Sequence, residues 1–113
     1  MEAKIKLTKT MLNKSIIDAN KSVQQFLKEE LLHTYDDLEA GEKLKVPSLY
    51  EDGTRTTVTF YKAKGRGDKR ISVQNLRKFA SEGDTLGLRE ELVLEDDMTF
   101  EIRVLIYKIG DAA

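Results

Sequence analysis

Between residues 100 and 107 the chain alternates with a period of two: Phe100, Ile102, Val104 and Ile106 take one side, and Glu101, Arg103, Leu105 and Tyr107 the other. That period belongs to an extended strand, and a strand with an apolar face needs neighbouring strands and a core to bury it. Leu105 and Tyr107 suggest some apolar cover on the second side as well. The same signal recurs along the chain. Ile5 and Leu7 between lysines predict a strand over 4–10, and Leu44 and Val46 alternate with Lys43 and Lys45, with Pro47 suited to a strand edge or end. Asp52-Gly53 is a hairpin turn signal leading into a β-branched run over 54–62, where Val58 and Phe60 face inward and Thr57, Thr59 and Tyr61 outward. Residues 69–73, Leu86 with Leu88, and Leu92 with Leu94 add further extended segments. The total is six or seven strands.

Helical signals are fewer. Ser22-Val23-Gln24-Gln25 has the form of a capping box and opens a helix over 23–32 whose buried face is Val23, Phe26, Leu27 and Leu31. Ile16 and Ile17, just before it, read as core. Residues 74–80 read as a second short helix with Leu76 and Phe79 packed inward, ended by Gly83. Residues 10–15 read as a polar stretch of turn formers. With no repeat, linker or low-complexity segment, residues 1–113 form one domain. The fold class is mixed α/β, mainly β: a barrel or barrel-like sheet with short helices at its ends.

Several chemistries have no residues to carry them. The chain has no cysteine and a single histidine, His33, so disulfides, thiolate metal sites and histidine-based triads are not expected. Phosphate-loop, dinucleotide, zinc-protease and nucleophile-elbow motifs do not occur, and no cofactor or metal is expected. Asp97, Glu101 and Arg103 loosely resemble the carboxylates and basic residue of a metal-dependent nuclease, but they sit in a plain core-type strand with Arg where Lys is usual. No apolar run approaches the roughly 20 residues that cross a bilayer, and no apolar signal core follows Met1. A cytoplasmic protein without a membrane partner is the expectation.

The formal net charge is −1, yet the charges are not evenly spread. Lys62, Lys64, Arg66, Lys69, Arg70, Arg77 and Lys78 stand against Asp68 alone, a net of +6, and Lys4, Lys6, Lys9 and Lys14 stand against Glu2 within residues 1–15, a net of +3. The remainder is therefore strongly acidic. Such asymmetry steers an anionic polymer to one side of a molecule. Lysine and arginine neutralise phosphates and release counterions. Arginine also pairs with guanine through two parallel hydrogen bonds, and asparagine does so with adenine. In the loop Lys64-Gly65-Arg66-Gly67 the glycines let the backbone approach a duplex closely.

The order of these features resembles the DNA-binding pseudobarrel of plant B-three transcription-factor domains and of the N-terminal domain of the restriction endonuclease EcoRII. The likeness is carried by Thr57-Val58-Thr59-Phe60-Tyr61-Lys62, then Lys69-Arg70-Ile71, Phe79, and Gly83-Asp84-Thr85-Leu86. It implies a seven-stranded open pseudobarrel flanked by two short helices, holding DNA between an N-terminal arm, here about 9–15, and a central arm, here 62–70. The tryptophan usual before the short helix in plant members is missing, which favours the restriction-enzyme comparison. In that comparison the chain resembles the recognition domain of an McrB-like, NTP-driven subunit of a LlaJI-type restriction system, with catalysis in further domains or in a partner nuclease subunit.

Two functions follow as expectations. The first is a non-enzymatic module for site-specific recognition of double-stranded DNA in a restriction-modification system. In it Lys64, Arg66 and Arg70 read base edges from the central arm and Asn13 from the N-terminal arm, while Lys9, Lys14, Lys62 and Lys69 contact phosphates. The alternative is a protein-interaction module, such as a phage-encoded inhibitor of a defence enzyme, whose basic loop docks on an acidic partner. A single-strand binder is disfavoured, because Phe60 and Tyr61 make too small a stacking platform.

Overall fold

The structure, a computed structural model, describes residues 1–110. Its strands are β1 (Ala3–Lys6), β2 (Ile17–Asp18), β3 (Lys43–Tyr50), β4 (Arg55–Lys62), β5 (Lys69–Val73), β6 (Thr85–Leu94) and β7 (Phe100–Ile109). They form one seven-stranded sheet in the order β1-β6-β7-β3-β4-β5-β2, antiparallel throughout except for the β3–β7 pair. Three short α-helices accompany them: α1 (Lys9–Lys14), α2 (Lys21–Glu30) and α3 (Leu76–Phe79), with a 3₁₀ turn at Tyr35–Asp37. The result is a mainly β, open pseudobarrel.

The end strands β1 and β2 do not pair. The opening between them is spanned by the start of α2. Asn20 donates its side-chain amide to the Lys4 carbonyl at 2.8 Å, and the Ser22 hydroxyl accepts from the Lys4 amide at 3.0 Å. Asn20, not Ser22, caps α2: its Oδ1 accepts from the Val23 amide at 2.9 Å, while Ser22 donates its hydroxyl to that same Oδ1. The helix therefore starts two residues earlier than the capping-box reading predicts. Its buried face, Val23, Phe26 and Leu27, is the expected one, with Leu31 packed at its margin.

Alternation fills the barrel. Ile5 from β1, Ile17 from β2, Val58 and Phe60 from β4, Ile71 and Val73 from β5, Leu86 and Leu88 from β6, and Val104 and Ile106 from β7 all point inward and are buried. Tyr35 meets Phe60 edge-on, with ring centroids 6.5 Å apart, and donates its hydroxyl to the Arg70 carbonyl at 2.7 Å. Burial pushes the Tyr35 phenol well above the ordinary tyrosine range, so it remains a donor. Pro47 lies inside β3 rather than at its end. The Tyr50 amide bonds Thr54 across the hairpin, so in antiparallel alternation the nitrogen at position 47 points away from β4. On that side β7 begins to pair only at Ser48, and no ladder bond is lost.

Three expectations are corrected. Residues 10–15 are not a turn: Thr8 accepts from the Met11 amide at 3.2 Å and caps α1, Met11 and Leu12 pack against the core, and Ser15, in the left-handed region at φ 54°, ends the helix. The polar flanks hide this single amphipathic turn, and the first strand stops at Lys6 to make room for it. Ile16 is 40% exposed, whereas Ile17 is buried. Finally, the C-terminal alternation is only half core, because Phe100 and Ile102 lie in solvent with Leu92 and Leu94. There the β6–β7 hairpin runs past the ends of β1 and β3.

Candidate nucleic-acid interface

The ladder register lines up the outward side chains of four strands. Lys43 of β3 lies beside Tyr61 of β4, Tyr61 beside Arg70 of β5, and Arg70 beside Asp18 of β2. The next row is Lys45, Thr59 and Ser72. The outer face of this half of the sheet is thus polar and carries cations on its β3 side.

Projections rise at both ends of β5. At its start, β4 and β5 are joined by a tight hairpin that the Ala63 amide closes on the Asp68 carbonyl at 2.8 Å. Gly65 and Gly67 take φ of 88° and 73°, a region that costs other residues roughly 1 kcal/mol or more. The central arm is therefore this compact turn. Arg66 stands at its tip, its side chain 89% exposed, with a long 3.4 Å contact to Asp68. At the other end of β5, Ser15 and the end of α1 border a groove with Ser72, Val73, Asn75 and Arg77. The neighbouring groove brings Lys9 and Asn13 of α1 to Arg77. Five residues of strand separate the projections by roughly 15 Å, close to the roughly 12 Å width of a major groove.

Arg70 organises the hairpin. Its guanidinium, only 19% exposed, binds Asp18 at 3.2 Å and Asp68 at 3.0 Å. It ties the arm to the edge strand and takes up the carboxylates of Asp18 and Asp68. Among the described residues Lys9, Lys14, Lys43, Lys45, Lys62, Lys64, Arg77 and Lys78 make no ion pair within 4.0 Å.

The eight residues singled out from the sequence do not share one surface. Lys9, Asn13 and Lys14 lie on α1, exposed, and Lys64 and Arg66 are exposed on the turn. The Lys64 stem passes over Gly41, where an added Cβ would approach its Cε to 2.9 Å. Lys62 and Lys69 pair with each other in the inward-facing rows of β4 and β5. Lys69 leans to the opposite rim, 3.4 Å from Gln24 and 4.0 Å from Asp36. Arg70 faces outward but is engaged as described. Lys43 and Lys45 escaped the sequence reading. Their alternation with Leu44 and Val46 marks them as outward, but only the β3–β4 register sets them beside Tyr61 and Thr59. Arg77 was legible as charge, and its neighbourhood with α1 was not.

The nuclease-like trio forms no open carboxylate pair: Asp97 accepts from the Thr99 hydroxyl at 2.6 Å, and Arg103 binds Glu95 and Glu101. Among the described residues no group of three or more His, Asp or Glu side chains could hold a metal ion, and no helix is long and apolar enough to cross a membrane. Comparisons with protein-family models, with curated proteins and with solved structures find no match to this chain.

Proposed function

We propose that the protein is a module for site-specific recognition of double-stranded DNA, held by the outer face of β3–β4–β5–β2 between α1 and the β4–β5 turn. The observation that carries this reading is the pair of cation-bearing projections at the two ends of β5, combined with the capture of Asp18 and Asp68 by Arg70. A phosphate backbone approaching this face meets free lysines on both sides of a groove-sized span. Lys9, Lys14, Lys43, Lys45 and Lys64 act as phosphate contacts, whose energy comes from counterion release. Arg66, held only by its long 3.4 Å contact to Asp68, and Asn13, exposed on α1, are the base readers at the two projections. Arg70 acts by holding the turn in place, and Lys62 and Lys69 belong to the rim rather than to the contact. The likeness to restriction-enzyme pseudobarrels supports a restriction system as the setting, with cleavage supplied by further domains or a partner subunit in the cytoplasm.

Selection from a randomised duplex pool, with sequencing of the bound fraction, tests the proposal. A recovered consensus of a few base pairs supports it, and a bound fraction no different from the input rejects it. A consensus that loses information at one position in Arg66→Lys assigns that position to the arginine fork, since lysine keeps the charge and lacks the geometry.

A further inference from the structure

The outer half of the β6–β7 hairpin has an apolar face with nothing on it. Leu92 pairs with Ile102 and Leu94 with Phe100, alternate rungs of one ladder on the same face. The even-numbered residues here continue the rows of Leu86, Leu88, Val104 and Ile106 that line the core, but beyond the end of the barrel. Leu92, Leu94, Phe100 and Ile102, with Met98 at the turn, are 49–77% exposed and make up five of the eight large hydrophobic side chains found in solvent among the described residues. The hairpin is held in this position. Glu95 at its end binds Arg103 at 2.6 Å and reaches Arg55 of β4 at 2.8 Å.

With an accessible surface on the order of 200 Å² for each whole residue, these five exposures, Met98 included, leave about 600 Å² of mostly apolar surface, at the upper end of what an ordinary monomer shows in one patch. Two such faces in contact would bury about 1,200 Å², the lower bound for a specific, stable interface. Charge selects the occupant. A two-fold contact sets a face against itself, so it needs a face without net charge. From Leu92 to Ile102 this face holds only apolar side chains. Charged groups border it: Glu90, opposite Val104, is next in the same row, and off the face Glu95 and Glu101 are ion-paired to Arg55 and Arg103 and Glu91 to Arg89, so a contact centred on the apolar side chains is the one that leaves these groups in solvent.

We propose that this face is the contact of a symmetric homodimer, with Leu92, Leu94, Phe100 and Ile102 of each copy packed on those of the other. The contact lies on the outer halves of β6 and β7, where Arg55 at the start of β4 reaches the hairpin, and it includes neither α1, Lys43, Lys45 nor the β4–β5 turn. It leaves the candidate nucleic-acid face of both copies free and stands whether or not that face binds DNA.

Sedimentation velocity of the 113-residue chain from about 1 to 200 µM tests it, since an interface of this size is expected to dissociate in the micromolar range. The expected result is a shift from the 12.9 kDa monomer to twice that mass as concentration rises. Ile102→Glu, a change at a side chain that is exposed in the monomer, should weaken association at least tenfold. The milder Leu94→Gln should do so in part, and Val93→Glu on the opposite face of β6 should leave it unchanged. The parent chain alone already decides the main point. A monomer across the whole range overturns the proposal, including the case in which a different protein covers the face. Self-association that survives both Ile102→Glu and Leu94→Gln overturns it too.

Discussion

Replacing Phe60 by alanine tests the register on which both the core and the candidate interface depend. Phe60 is fully buried. It lies between Leu44 of β3 and Ile71 of β5 on the inner face, with Tyr35 edge-on to its ring. Removing the ring forfeits about 2–3 kcal/mol of transfer free energy and roughly 0.5–1.5 kcal/mol of edge-to-face contact, and β3 and β5, pinned by their ladders, cannot close the cavity fully. The expected loss is about 3–5 kcal/mol, the usual range for a buried aromatic. That is a large part of the roughly 5–15 kcal/mol that holds a domain together. In urea, at a slope of roughly 1.5 kcal/mol/M, the midpoint should fall by about 2–3 M. Tyr61→Ala, one residue on and on the outer face, should cost less than about 1.5 kcal/mol. A one-residue slip exchanges the two side chains, so a near-neutral Phe60→Ala beside an unfolded Tyr61→Ala would refute the register and remove Lys43, Lys45 and Tyr61 from a common face.

Other outcomes follow from single contacts. Gly87→Ala should destabilise by about 1–3 kcal/mol, because a Cβ there would run into the Tyr107 ring; a thermal melt unchanged from the parent would show that Tyr107 packs elsewhere. Arg70→Ala should loosen the β4–β5 turn by removing its ties to Asp18 and Asp68, read as faster amide exchange over residues 63–69, whereas Arg66→Ala should leave that exchange as it is. The Glu95 carboxyl is held below the usual carboxylate range by its bonds to Arg55 and Arg103, so its folded-state pKa lies below its unfolded one. Its contribution to stability is therefore present above the ordinary glutamate pKa and is lost as pH falls through the lowered value. Glu95→Gln should melt lower than the parent at neutral pH and show a flatter acid limb, and parallel melting curves from pH 7 to about 3 would contradict this.

The strands were legible because alternation and turn chemistry agree: Val58 and Phe60 point inward, Asp52-Gly53 turns the hairpin, and Val104 and Ile106 fill the core. Helix α1 was not, because among the described residues Met11 and Leu12 are the side chains it packs against the core, and six residues leave too short a period to read. Phe100 and Ile102 misled for a related reason. Alternation reports which side of a strand is apolar and says nothing of how far the neighbouring strands extend. At the candidate interface the cations of the turn could be read directly. The division of labour among them could not, since it depends on which aspartate lies next to which arginine. Asp18 is fifty-two positions from Arg70 in the chain and 3.2 Å away in the fold.

The most direct test of DNA recognition by this face is the salt dependence of binding to a random-sequence duplex. If the two projections and β3 contact about five phosphates, log K should fall with log[salt] at a slope of roughly −4 to −5. The double substitution Lys43→Ala/Lys45→Ala should reduce that slope by about two units. Binding that ignores salt, or a slope left unchanged by the double substitution, would contradict the assignment of this face.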